Sequence, residues 1–140
     1  MRYKFFDHTA DVMFEAYGND LDELFENAAL AVEEIMVKLS TLGNKSVYTI
    51  KLSADSLEDL LYDFLSELIF VKDTEGLLFN KFEINISEKN NKYSINAKCF
   101  GEIIDRKKHQ LNADAKAITK HKFEIKKTKD KYIAHVIVDI

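Results

Sequence analysis

The residues best placed to do chemistry lie near the two ends of the sequence. The last five, Val136-Ile137-Val138-Asp139-Ile140, put an acid at the end of an apolar stretch, beside the α-carboxylate of the last residue. Two carboxylates one residue apart repel, and each resists ionising where it is partly buried. A hard divalent cation such as Ca²⁺, Mg²⁺ or Mn²⁺ would relieve that strain, because such ions take several oxygen ligands. With both charges in water the same residues are an ordinary frayed terminus, and spacing alone favours that. Near the start, Asp7-His8-Thr9-Ala10-Asp11 is a polar cluster between two hydrophobic stretches. On spacing alone it is a turn capped by Asp and Thr side chains. His109 and His121 suit acid–base work only if a carboxylate such as Asp105 lies near. Lys120, Lys122 and Lys126 share one side of a strand, with Lys127, Lys129 and Lys131 beyond. They form either a solvated face or a contact for phosphate or an acidic partner. Cys99 falls on the apolar side of a strand, as a core thiol does. With no phosphate-binding glycine loop, no HExxH and no G-x-S-x-G, the residues themselves point to no enzyme class.

These clusters must be held by the elements between them. Phe5 to Phe6 and Val12 to Tyr17 are expected as short strands around the polar cluster. Gly18-Asn19-Asp20 is a turn, and Asp20 with Glu23 has capping-box spacing. Leu21, Leu24, Phe25, Ala28, Val32, Ile35, Met36 and Leu39 then recur at helical steps, which predicts an amphipathic helix stopped near Gly43. Its opposite face carries Asp22, Glu23, Glu26, Glu33 and Glu34. Val47 to Leu52 alternates as a strand. Asp55 with Glu58 repeats the capping box before a second helix through Leu57, Leu60, Leu61, Phe64, Leu65, Leu68 and Ile69, which ends at Lys72 to Gly76. Beyond it the period becomes two. One hairpin pairs Phe82 to Ile86 with Tyr93 to Cys99, and a second pairs Phe123 and Ile125 with Ile133 to Val138. Asp105 to His109 reads as part of a long loop. The pattern predicts an α+β fold, one domain over residues 1–140, with a largely antiparallel or mixed sheet of about six strands and two main helices packed on one face.

At 140 residues, 46% hydrophobic and 11% aromatic, the chain has enough apolar surface for one core, which excludes a disordered composition. No apolar run approaches a membrane span; the longest are broken by His135 or by Asp63 and Ser66. Asp7, His8 and Asp11 break any signal-peptide core. A single cysteine excludes an internal disulfide and fits a reducing compartment, so a soluble cytoplasmic protein is expected. The net charge of −4 is unevenly spread. Residues 1–70 hold five Lys/Arg against fourteen Asp/Glu, a balance of −9, and residues 71–140 hold fifteen against ten, a balance of +5. Bulk electrostatics therefore does not attract nucleic acid, although a local basic face in the second half remains open. The asymmetry also suits docking onto another protein.

The ordered residues resemble those of the archease family over essentially the whole chain. Asp7-His8-Thr9-Ala10-Asp11-Val12, with Gly18, Leu21, Glu23-Leu24-Phe25 and Ala28-Ala29, is similar to that family's opening. Val136 to Ile140 is similar to its ending, and Gly101-Glu102, Asp105, His109, Lys116-Ala117-Ile118-Thr119 and His121 match its interior. The sequence departs from the family at Lys120, where many relatives have a tyrosine, and in lacking a tryptophan near Tyr132. The resemblance implies an α+β protein cofactor, not itself an enzyme, that assists an RtcB-type RNA ligase in tRNA splicing and RNA repair. Such a cofactor promotes the ligase–GMP intermediate and repeated turnover. It meets RNA only indirectly through the ligase, has no membrane role, and is a monomer or weak oligomer. The resemblance also implies a divalent-metal site, with calcium in structures and magnesium or manganese as functional alternatives. Its ligands here would be Asp11, Asp139 and the terminal carboxylate of Ile140. His8, Asp105, His109 and Lys116 would contact the ligase or support the site. Competing readings are a stand-alone metal-dependent phosphoesterase and a chaperone-like or RNA-associated module.

Overall fold

The computed structural model describes residues 1–6 and 11–140. In chain order the elements are β1 (Tyr3–Phe6), β2 (Asp11–Gly18), α1 (Leu21–Met36), a 3₁₀ turn (Leu39–Thr41), β3 (Ser46–Ala54), α2 (Leu57–Glu75), β4 (Leu77–Lys89), β5 (Lys92–Ile103), β6 (Ala117–Lys127) and β7 (Tyr132–Asp139). The α+β class and the antiparallel pairing are as expected. The strands, however, divide into two sheets, ordered β1-β2-β7-β6 and β3-β5-β4. Nor do the helices cover one face of a single sheet. Helix α1 packs against β2 and β7 of one sheet and β4 of the other, and α2 against β6 and against β3, β4 and β5. Each sheet thus turns its apolar side to the helices, and one continuous core joins both.

That placement explains α1. A helix covered on several sides must be apolar around most of its circumference. Leu24, Phe25, Ala28, Ala29, Leu30, Ala31, Val32, Ile35 and Met36 are all buried. Its start follows the capping signal: Asp20 Oδ1 accepts from the Glu23 N–H at 2.8 Å, and Glu23 Oε1 accepts from the Asn19 N–H at 2.9 Å. The helix ends at Met36, short of the expected Leu39, because the segment after β5 captures its last carbonyls. Asn112 N–H donates to Met36 O at 2.8 Å and Ala113 N–H to Ile35 O at 3.1 Å, while Val37 bridges to Leu111. Helix α2 starts one residue later than its expected cap, with the Ser56 hydroxyl accepting from the Asp59 N–H at 3.1 Å. It ends at Gly76, whose φ of 66° suits the left-handed cap that glycine adopts without strain.

Aromatic rings fill the space between helices and strands. Phe25 and Phe64 have centroids 6.3 Å apart, Phe64 and Phe82 also 6.3 Å, and Phe79 and Phe82 6.0 Å. Burying each such ring is worth about 1.5–3 kcal/mol. A register shift lies between Phe79 and Lys81, where β4 bulges against β5. Gly101 sits opposite that bulge, and a Cβ there would lie 1.8 Å from Leu78 O. Only a residue without a side chain lets the two backbones approach so closely.

Candidate functional site

The antiparallel register of β2 and β7 makes Asp11 and Asp139 direct partners at one end of the four-stranded sheet. Side chains directly opposite on adjacent antiparallel strands project to the same side with Cβ atoms about 5 Å apart, and like charges so placed destabilise the pair. Along both strands the next residues of the opposite parity, Val12 with Val138 and Phe14 with Val136, turn into the core. The acids therefore lie on the outward side. On the far flank of Asp139 stands Ala117, and the Lys116 N–H donates to Asp139 O at 2.8 Å. Ile140 follows, 37% exposed. The arrangement is an acidic tip anchored by apolar strands, with the exposed Lys116 side chain beside it.

Oxygen donors in that arrangement suit a hard cation. Among the described residues no group of three or more His, Cys, Asp or Glu side chains makes a metal cage. Asp11 and Asp139 supply two carboxylates, and the terminal carboxylate of Ile140 would add a further oxygen from outside that set. His8, expected as a supporting residue, lies outside the described residues.

The loop candidates Asp105 and His109 lie close together, but their side chains do not pair. His109 is buried, and its imidazole is not met by the Asp105 carboxylate. The Asp105 backbone N–H donates to Nδ1 at 3.0 Å, which leaves the ring hydrogen on Nε2 to donate to Glu102 Oε1 at 3.0 Å. The Asp105 carboxylate instead accepts from the Lys107 N–H at 3.0 Å and closes its own turn. Glu102 also takes Lys108 Nζ at 2.6 Å and the Gly43 N–H. The Lys108 ammonium, His109 and the Gly43 N–H hold its carboxyl well below the usual range, at about 2. This latch ties the loop after β5 to the turn after α1. His109, buried within this latch, is placed to position the loop.

The lysine stripe is also broken up. The register between β6 and β7 shifts between Thr119 and Glu124, and Lys122 adopts a φ of 54° there. Lys120 Nζ sits 4.9 Å over the Tyr62 ring, Lys127 5.4 Å over Tyr132 and Lys131 4.8 Å over Tyr17, while Lys126 pairs with Glu124 at 3.4 Å. Cys99 is the buried core thiol expected, pushed up to about 12 mainly by burial.

Helical periodicity places Glu33 on the wrong side of α1. Glu33, assigned to the solvent face of α1, is fully buried; its Oε1 accepts from the Phe79 N–H at 2.7 Å, within the β4 bulge. Burial pushes its carboxyl up to about 8, opposed by that hydrogen bond and by the Lys72 charge. No signal in the helix itself marks it, because the covering strand comes from residues 77–89.

Residues 3–140 match the model of the Archease protein family (MTH1598/TM1083). The chain belongs to the archease family. It is similar to the archease of Pyrococcus abyssi, 37% identical over 140 residues and 99% of each chain, and to that of Methanosarcina barkeri, 40% identical over 99% of this chain and 96% of the relative. Among solved structures it superposes on protein 1598 of Methanobacterium thermoautotrophicum with a TM-score of 0.89 at 40% identity, covering 99% of both chains. An archease of Thermotoga maritima, described as a possible chaperone, shares the fold with a TM-score of 0.61 at 20% identity, covering 98% of this chain and 96% of that one. The archease fold thus accounts for both sheets and both helices. No helix among the described residues is long and apolar enough to cross a membrane.

Proposed function

We propose that this archease activates an RtcB-type RNA ligase, promoting formation of the ligase–GMP intermediate and repeated turnover in tRNA splicing and RNA repair. It is a protein cofactor in the cytoplasm, with no chemistry of its own. The observation that carries this reading is the direct opposition of Asp11 and Asp139, both half-buried, at one end of the four-stranded sheet. Two carboxylates on one side of adjacent strands offer several oxygen donors at one place, the donor type a hard divalent cation takes.

Asp11, Asp139 and the terminal carboxylate of Ile140 would hold the ion, calcium or in function magnesium or manganese. When bound, a divalent ion neutralises the carboxylates and orders the tip. The chain's own contribution is positional. Strands β2 and β7 hold the acids by the core residues that alternate with them, and Lys116 flanks the tip through its backbone bond to Asp139. The ordered tip would enter the ligase near its nucleotide site, with Lys116 and Asp105 available to meet the ligase surface.

Guanylylation of the ligase from GTP, with catalytic amounts of this protein, tests the reading. Wild type is compared with Asp139→Ala and with a chain extended by a few residues after Ile140. Stimulation by wild type alone is expected. Equal stimulation by all three would discard the tip mechanism, and no stimulation by wild type of its cognate ligase would discard the activator role.

A further inference from the structure

The outer face of the β3-β5-β4 sheet, turned away from both helices, carries a charge at odds with the rest of the molecule. Its register sets side chains in rows across the strands: Val47, Phe100 and Lys81; Thr49, Lys98 and Glu83; Lys51, Asn96 and Asn85; Ser53, Ser94 and Ser87; and last Lys92 with Lys89. The residues between these rows, such as Ile50, Ala97 and Phe82, are core. The outer face therefore holds five lysines against one glutamate, a balance of +4, so the remainder of this −4 chain stands at −8. Of these five lysines only Lys81 has an acidic partner among the described residues, Glu83 at 3.9 Å. Lys51, Lys89, Lys92 and Lys98 are exposed, and Lys89 faces Lys92 directly, an arrangement that costs stability with nothing between them.

We infer that this face is a platform for single-stranded RNA. Charge complementarity selects a polyanion, and three further features favour RNA over an acidic peptide. The middle of the face is a field of amides and hydroxyls, with a shallow hollow of about 520 Å³ lined by Lys51, Ser53, Asn85, Ser87, Ser94 and Asn96. Such groups donate to and accept from base edges and 2′-hydroxyls, whereas a carboxylate peptide needs donors only. Phe100 lies at one end with Lys81 Nζ 5.1 Å from its ring centroid, a half-buried aromatic on which a base can stack. From Phe100 to Lys92 the platform runs about 26 Å at 3.3 Å per residue, enough for several nucleotides and no wider than three strands.

The inference departs from the expectation that RNA is met only through the ligase, and it does not rest on the ligase reading, because binding is measured without the ligase. The probe is a fluorescein-labelled 12-nucleotide oligouridylate, titrated by anisotropy between 25 and 200 mM KCl. Wild type is expected to bind with an affinity that falls as salt rises. The fourfold variant Lys51→Gln, Lys89→Gln, Lys92→Gln, Lys98→Gln is expected to bind at least tenfold more weakly at the lowest salt. Its log–log salt slope should be shallower by up to about 3, at about 0.7 for each single-strand phosphate that the variant no longer neutralises. A control variant away from this face, Lys127→Gln, Lys129→Gln, Lys131→Gln, should bind as wild type does. Phe100→Leu, which keeps the apolar contact and removes the stacking ring, should weaken binding severalfold. Absence of wild-type binding at 25 mM salt, or unchanged affinity in the fourfold variant with its circular dichroism intact, overturns the proposal. So does displacement of the RNA by polyglutamate at equal charge together with an unaffected Phe100→Leu protein, which would mark the face as one for acidic proteins.

Discussion

Replacing Glu33 by glutamine should make the stability of this protein far less sensitive to pH, and the size of the effect follows from the burial of that side chain. The carboxyl is 0% exposed, one oxygen accepts from the Phe79 N–H at 2.7 Å, and the other has no hydrogen-bond partner among the described residues. Its folded-state value of about 8 lies well above the ordinary 4.5, mainly because burial penalises the charge. In the window between those values the folded protein keeps a proton that the unfolded chain releases. A raised folded value means that the stabilising contribution is complete below about pH 4.5 and is lost as pH rises to about 8. Each unit is worth about 1.4 kcal/mol, so the full window costs on the order of 5 kcal/mol. Glutamine keeps the acceptor for Phe79 and cannot ionise, but it leaves buried N–H donors at a cost of about 1–3 kcal/mol. The variant should therefore be the less stable protein at pH 5 and the more stable one at pH 8.5. Urea unfolding of both proteins at half-unit steps from pH 5 to pH 9 checks this, since the other titrating groups cancel in the difference. A difference that stays flat across that range would refute the buried, protonated carboxyl.

At the tip, wild type should melt at a higher temperature in 1 mM CaCl₂ than in EDTA. Asp139→Asn should lose that increment, so that its melting temperature is the same in calcium and in EDTA. Differential scanning calorimetry reads both, and a calcium response unchanged by Asp139→Asn would remove that residue from the site. The thiol of Cys99, buried and held up to about 12, should resist Ellman's reagent at pH 8 in native protein and react within minutes in 6 M urea. Breaking the latch with His109→Ala should speed hydrogen exchange at the amides of Asp105, Lys38 and Asn112 while leaving α2 protected; unchanged rates would deny His109 its positioning role. Gly101→Ala, whose Cβ would strike Leu78 O, should destabilise by more than about 3 kcal/mol or prevent folding, read by circular dichroism and soluble yield.

Local chemistry made much of this protein legible from its residues. The Asp20 cap, the helical period of both α1 and α2, the glycine stop at position 76 and the alternation of β4 and β5 each depend on neighbours a few positions away, so a single stretch of sequence holds all the information. The polar clusters near the two ends could be picked out for the same reason, as acids out of keeping with the apolar strands beside them. Long-range pairing decided the rest. Two sheets in place of one follow from which strands find each other across the helices. Glu33 is buried only because β4 closes over α1, and α1 stops early only because Gln110, Asn112 and Ala113 bond the chain at its end. The contrast extends to the outer lysines: Lys51, Lys89, Lys92 and Lys98 are scattered singly along the chain, and only the register of β3, β5 and β4 gathers them on one face. Periodicity says which side of an element is apolar, while the choice of what covers that side is made by tertiary structure, since burial is a property of the whole chain and not of any one segment.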